Sequence, residues 1–247
     1  MSQQALEIET ADGICPAVLF RPDAANASDC PGLLFYMDIF GPRPALDGMA
    51  QRLADQGYVV LLPDLFYREG AYEPVDLGRT LADDAAKAEV FSRAKRTTPA
   101  MTRSDSEAFI AALRREVGAR RLGVVGYCMG GARAITAAGA YPDDLVAVAS
   151  LHGSRLADDA PDSPHRSAAA IKARVYVGCA GVDGSFPPEQ STALADAFRR
   201  AEVDFTLENY VGCAHGWTVP DQPVFNPEGA ERAFRRVCAL FGETLPG

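Results

Sequence analysis

Three residues of this 247-residue sequence have the types and the order that nucleophilic catalysis requires: Cys128, Asp183 and His215. Cys128 stands at the centre of Gly126-Tyr127-Cys128-Met129-Gly130-Gly131, directly after the apolar run Leu122-Gly123-Val124-Val125. An apolar strand that turns sharply into a helix through Gly-x-nucleophile-x-Gly holds the nucleophile exposed at the top of a sheet, and the glycines relieve crowding that side chains would create. Position 128 then opens a helix, where the dipole favours an anion and so favours a thiolate directly. The backbone N–H of Met129 is placed to donate to an oxyanion. A phosphate loop would need Gly-Lys-Ser/Thr at this turn, and none follows.

The partners of a nucleophile on such a turn come later in the chain, acid first and histidine second. Asp183 lies in Gly178-Cys179-Ala180-Gly181-Val182-Asp183, just past an apolar run at 175–178. His215 lies in Gly212-Cys213-Ala214-His215-Gly216-Trp217, past a run ending at Tyr210. All three residues therefore fall at strand carboxyl ends, where open α/β sheets bind ligands. The chain has three histidines in all. His165, after Ser163-Pro164, reads as a surface-loop residue. His152, in Ser150-Leu151-His152-Gly153, also follows a strand and reads as a pocket or packing residue rather than as the base. In this arrangement His215 handles the proton, Asp183 holds the imidazole, and Cys128 attacks an ester or lactone carbonyl to give a thioester that water releases. A thiolate is also a good leaving group, which suits esters and lactones better than amides.

The elements that must position these residues can be read from apolar periodicity. Residues 5–10 and 14–20 read as strands joined at Asp12-Gly13, a hairpin signal. Strands are expected at 33–37, 58–62, 122–126, 145–151, 175–179 and 205–210, and helices at 45–56, 130–140, 188–200 and 227–241. Strands alternating with helices predict an α/β fold with a mostly parallel central sheet, helices on both faces and an antiparallel N-terminal hairpin. Neither a repeat nor a linker interrupts the pattern, so residues 1–247 are expected to form one domain. Residues 64–98 break the rhythm and are expected to be a lid or pocket wall, or a surface excursion without a catalytic role.

Composition agrees with a globular protein that has a core: 48% hydrophobic and 23% charged residues. The net charge of −9, with arginines scattered among acids, argues against nucleic acid as a partner. No apolar run reaches the length of a membrane span. The segment Met1-Ser2-Gln3-Gln4-Ala5-Leu6-Glu7 lacks the basic and apolar regions of a cleaved signal, so a cytoplasmic location is expected. Six cysteines are present without a CxxC pair, so neither a disulfide framework nor a zinc site is expected. Five of them read as small buried hydrophobes, and Cys128 is the exception. No metal or cofactor is expected, and the expected partner is a small-molecule ester or lactone.

With Gly-Tyr-Cys-Met-Gly-Gly, the Asp183 loop and Ala214-His215-Gly216-Trp217 in this order, the sequence resembles the dienelactone hydrolase family of α/β-hydrolases, and the likeness runs over nearly the whole chain. The resemblance implies a Cys128–His215–Asp183 triad and an oxyanion hole from the amides of Met129 and Ile39. Family members carry Glu-Ile-Phe-Gly after the first core strand, and that Glu interacts with the resting thiol. Here the run is Asp38-Ile39-Phe40-Gly41, so the resemblance makes Asp38 the thiol-activating carboxylate, one methylene shorter. Family enzymes also hold a substrate carboxylate with arginines, one of them shortly after the catalytic histidine; this chain has Trp217-Thr218-Val219-Pro220 there. Arg79 and Arg93 are the candidates left to contact such a carboxylate, and Tyr67, Tyr127, His152 and Trp217 are candidates to line the pocket.

Two other functions fit parts of the sequence. One is a non-catalytic small-molecule-binding protein that keeps the fold, which the change at Asp38 would permit. The other is a thiol redox protein pairing Cys128 with Cys179 or Cys213, which flank the loops of the acid and the histidine.

Overall fold

The computed structural model describes residues 2–23, 30–117 and 121–245. Its frame is an eight-stranded sheet. The strands are β1 (Ser2–Thr10), β2 (Gly13–Arg21), β3 (Gly32–Tyr36), β4 (Val59–Pro63), β5 (Leu122–Tyr127), β6 (Leu145–Leu151), β7 (Arg174–Val182) and β8 (Phe205–Ala214). They lie in the order β1-β2-β4-β3-β5-β6-β7-β8. β1 and β2 form the antiparallel hairpin, β2 runs antiparallel to β4, and β3 to β8 are mutually parallel. The expected α/β architecture is therefore the observed one.

Seven helices surround the sheet among the described residues: α1 (Pro44–Ala54), α2 (Leu77–Ala82), α3 (Asp84–Arg96), α4 (Pro99–Val117), α5 (Met129–Ala140), α6 (Pro188–Arg200) and α7 (Pro227–Thr244). Every residue of β3, β4 and β5 is buried, as strands covered on both faces must be. The two faces can be told apart at neighbouring glycines. A side chain at Gly32 would run into Leu113 of α4, and one at Gly123 into Phe241 and Leu245 at the end of α7. Gly123 pairs with Leu33, the residue after Gly32. Successive residues of a strand point to opposite faces, so α4 and α7 cover opposite sides. Among the described residues, no helix is long and apolar enough to cross a membrane.

The sequence pattern announces no element at 99–117, where the structure has its longest helix. α4 turns Thr102, Asp105 and Ser106 inward beside Phe109, Ile110 and Leu113, so its buried stripe is partly polar and the apolar period is blurred. Ser106 is satisfied by Tyr36 at 2.7 Å, and Asp105 by Arg68 and Tyr67. β8 also runs past the expected Tyr210 to Ala214, with a register shift against β7 between Ala180 and Val182. That extension carries the chain up to His215. The 64–98 excursion folds as a short 3-10 turn, α2 and α3.

Candidate active site

β5 ends at Tyr127 and α5 begins at Met129, so one residue makes the whole turn. Cys128 adopts φ 55 and ψ −118, a strained backbone for a residue with a side chain. The turn closes because its neighbours are glycines. A Cβ on Gly126 would stand 1.9 Å from the Gly130 carbonyl oxygen, and one on Gly130 would stand 2.2 Å from that of Tyr36. The Cys128 carbonyl accepts from the N–H groups of Gly131 and Ser154, which fixes the elbow against the loop after β6.

Cys128 opens into a cavity of about 1000 Å³. Its thiol lies 3.6 Å from the Ser154 hydroxyl. His215, one residue past β8, also lines this cavity. Its Nδ1 is 2.8 Å from Oδ2 of Asp183, whose side chain is only 2% exposed. The other Asp183 oxygen accepts from the N–H groups of Ser185 and Phe186. With Nδ1 so occupied, Nε2 of His215 is the nitrogen left for the thiol. Burial opposes a charge on His215, but hydrogen bonds and charge from Asp183 and Cys128 raise its pKa to about 10. Burial would likewise raise the Asp183 carboxyl, yet His215 and the Ser185 N–H hold it below the ordinary range. The three residues widely separated in sequence are thus brought to one edge of the sheet. Ile39 and Met129, the expected oxyanion donors, line the same cavity.

His152 has a different part from His215. The Cys128 N–H donates to its Nδ1 at 3.1 Å, so the ring's proton sits on Nε2 and is donated to Thr218 Oγ1 at 2.7 Å. Burial, and then the charge of His215, push its pKa well below normal. A neutral imidazole with both nitrogens engaged braces the elbow against the loop after His215. Its ring lies 5.3 Å from that of His215 and 5.1 Å from that of Trp217.

Asp38 departs from expectation. Both its oxygens are taken by Arg43, at 2.7 and 2.8 Å, and Oδ1 also accepts the Phe40 N–H. Arg43 also grips Asp221. Asp38 lines the cavity, but its hydrogen bonds go to the guanidinium and its own loop rather than to the thiol. The expected pocket residues divide as well. His152 lines the cavity, while Tyr67, Arg79, Arg93, Tyr127 and Trp217 are not part of its wall. Tyr67 bonds Thr10 at the end of β1 and Asp105 of α4. Arg79 is exposed on α2. Arg93 lies over the Tyr72 and Phe66 rings. Tyr127 packs on Phe35 beneath the elbow, and Trp217 is fully buried between His152 and Tyr210. The excursion does form wall, through Phe91, Ala94, Lys95 and Thr97 of α3 and its end. Ser154, Arg43 and Arg133 were missed by sequence reasoning. Only Arg133 left a signal, as a lone charge among the small apolar residues of α5.

A parallel sheet with a hairpin edge and a strand-to-helix elbow bearing a would-be nucleophile defines the α/β-hydrolase class. Within it, the chain belongs to the dienelactone hydrolase family, whose sequence pattern matches residues 15–245. A Synechocystis protein named "Putative carboxymethylenebutenolidase" is 27% identical over 227 residues, 87% of each chain. The Klebsiella pneumoniae structure titled "Putative Dienelactone Hydrolase" superposes with a TM-score of 0.84 at 22% identity, over 98% of this chain and 100% of that one. A dienelactone hydrolase-like promiscuous phosphotriesterase, P91, from metagenomic libraries superposes at 0.78 with 24% identity, over 99% of both. At these identities the two structures speak for the fold.

Proposed function

We propose that this protein hydrolyses small ester or lactone substrates through a thioester on Cys128. The observation that carries the reading is His215, bonded to Asp183 through Nδ1 and lining the same cavity as Cys128. In that reading the thiol proton resides on His215, and the Cys128 sulfur attacks the carbonyl carbon. As the C–S bond forms, the carbonyl oxygen gains charge and is met by the N–H groups of Met129 and Ile39. Collapse breaks the bond to the leaving oxygen, which takes the proton from His215. A water then gives its proton to His215 and adds to the thioester carbon, releasing the acid and returning the sulfur.

The geometry supports this over a redox pairing, because Cys179 and Cys213 are held as buried thiols. Burial and the Asp183 charge push Cys179 up to about 12, and burial raises Cys213. The test is turnover of p-nitrophenyl acetate with mass spectrometry of the quenched protein. An acetyl group on the Cys128 peptide, and loss of turnover in Cys128→Ala, are expected. Unchanged turnover in Cys128→Ala would refute the reading.

A further inference from the structure

Ser154 stands three residues past the end of β6, in Leu151-His152-Gly153-Ser154-Arg155. Its hydroxyl is 3.6 Å from the Cys128 sulfur, within hydrogen-bond reach of so large an atom, and both residues line the cavity. Among the described residues that sulfur is the hydroxyl's one partner. The backbone holds the pair in register. The Ser154 N–H donates to the Cys128 carbonyl at 3.1 Å, and the next N–H, that of Arg155, donates to the Ser185 carbonyl at 2.8 Å. Ser185 in turn donates its N–H to Asp183. The loop is thus tied at once to the elbow and to the loop of the acid. It is also strained: His152 at φ 39 and Arg155 at φ 54 put residues with side chains in the left-handed region on either side of Ser154.

A neutral thiol is a weak acceptor, whereas a hydrogen bond to an ionised group is shorter and about twice as strong. An O–H aimed at the sulfur therefore favours the charged form over the neutral one. A hydroxyl does so without bringing a charge of its own. A carboxylate beside a thiolate opposes it by like charge, and both oxygens of Asp38 are in any case engaged by Arg43. The nearest ionisable groups are the two histidines: His215, with Asp183 behind it, and His152, whose Nδ1 accepts the Cys128 N–H. Arg155 is paired with Asp158, and Lys95, Arg133 and Asp162 complete the ionisable side chains of the cavity wall.

We propose that Ser154 is a further catalytic residue: its O–H donates to the Cys128 sulfur and holds the charge there while the thiol proton is on His215. The Ser154 proton stays on its own oxygen throughout. The sulfur's electron pair becomes the C–S bond when the thioester forms. It returns to the sulfur when the added water expels it, and the same O–H meets it again. This inference rests on the reading of Cys128 as nucleophile, so its test follows the thiol directly as well as through turnover.

Ser154→Ala removes the hydroxyl and keeps both backbone bonds, and Ser154→Thr returns a hydroxyl. The first arm follows the ultraviolet absorbance of the thiolate in the full chain, against a Cys128→Ala blank, from about pH 5 to about pH 9. In Ser154→Ala its rise is expected about one pH unit above that of the wild type, the scale of a lost hydrogen bond to an ionised group. Ser154→Thr is expected to bring it part of the way back. The second arm measures alkylation of Cys128 by iodoacetamide over the same range. On the acid side Ser154→Ala should react about fourfold more slowly, because less thiolate is present, and on the alkaline side about threefold faster, because a more basic thiolate is the better nucleophile. The two rate profiles therefore cross, whereas a merely disturbed cavity would shift the rate in one direction at every pH. The acid-side loss should reappear in kcat/KM for p-nitrophenyl acetate. A thermal melt checks the fold, and Ser154→Gly, which makes the same deletion, is expected to repeat the result. An unmoved absorbance rise, or profiles that never cross, would overturn the proposal. A moved rise and crossing profiles in a chain that cleaves no ester would uphold Ser154 as the donor to the thiolate and remove the hydrolase reading.

Discussion

Asp38 and Arg43 meet through two parallel hydrogen bonds of 2.7 and 2.8 Å, and Asp221 closes on the same guanidinium at 2.6 and 3.1 Å. Asp38 precedes Ile39 on the loop after β3, and Asp221 follows the turn that carries His215. One arginine therefore ties the loop of an expected oxyanion donor to the segment of the expected base. Burial opposes charge on Arg43, but its two carboxylates more than restore it, raising its pKa above the normal value. In this arrangement Asp38 is a positioning residue. Asp38→Asn is expected to lower kcat by about tenfold, the scale of a misplaced oxyanion donor. The pH limbs of kcat/KM should stay where they are. A carboxylate that took the thiol proton would instead shift a limb, so the pH profile separates the two roles. Arg43→Ala strands a buried Asp38 and is expected to cost about 3–5 kcal/mol in urea unfolding.

Reactivity among the thiols is expected to be unequal. Burial raises Cys179 to about 12 and Cys238 to about 11, and Cys15 and Cys213 also lie above the ordinary thiol value through burial. Those four stay protonated at neutral pH and make poor nucleophiles. Cys128 faces an open cavity with His215 beside it. Iodoacetamide at pH 7 should alkylate Cys128 at least about tenfold faster than these four. Peptide mapping over a time course reads this directly, and equal rates across the peptides would contradict it.

The two facing histidines bias stability in opposite directions. His215 is raised from its ordinary value near 6.5 to about 10. Its stabilising effect is complete below about pH 6.5 and is lost as pH climbs through about 10. His152 is lowered, chiefly by burial. It stabilises above about pH 6.5, and that effect is lost as pH falls towards its depressed folded value. Stability of the wild type should therefore fall on both sides of about pH 6.5. His215→Gln should flatten the alkaline slope alone, and His152→Asn the acid slope alone. Urea midpoints measured from pH 5 to about pH 10 would show it. An alkaline slope that persisted in His215→Gln would assign the effect to another group.

How much of this could be read in the chain depends on the range of the interaction. The elbow was legible because its needs are local: strand, glycine, nucleophile, glycine, all within Leu122 to Gly131. Asp183 and His215 were legible because strand ends in a parallel sheet share one edge. What Asp38 touches depends on Arg43 and on Asp221, 183 positions away, and no periodicity encodes such a pairing. Tyr67, Tyr127 and Trp217 were assigned to the pocket by type, but an aromatic ring serves a core as readily as a wall. α4 escaped notice because its inward stripe spends Thr102, Asp105 and Ser106 on buried hydrogen bonds. Arg133 is visible as a lone charge in an apolar helix, yet only the fold shows that it is buried and bonded to the Thr97 carbonyl.

The elbow makes one further demand that a single atom can test. At Gly126 an added Cβ would lie 1.9 Å from the Gly130 carbonyl oxygen, 2.2 Å from the carbon and 2.8 Å from the Gly131 nitrogen. All three are backbone atoms of the first turn of α5, so no rotamer change can make room. The strand end and the helix start would have to part, moving Cys128 away from His215. Gly126→Ala is expected to cost about 3 kcal/mol or more, and to abolish ester turnover even where folded protein is recovered. Gly48 supplies the control: it is exposed in α1 and a Cβ there meets nothing within 4 Å. Gly48→Ala should therefore stabilise by about 0.5–1 kcal/mol through helix propensity. Urea unfolding of the two variants side by side gives opposite signs if the elbow is as tightly closed as the geometry requires. A Gly126→Ala protein as stable and as active as the wild type would mean that β5 and α5 can separate at little cost.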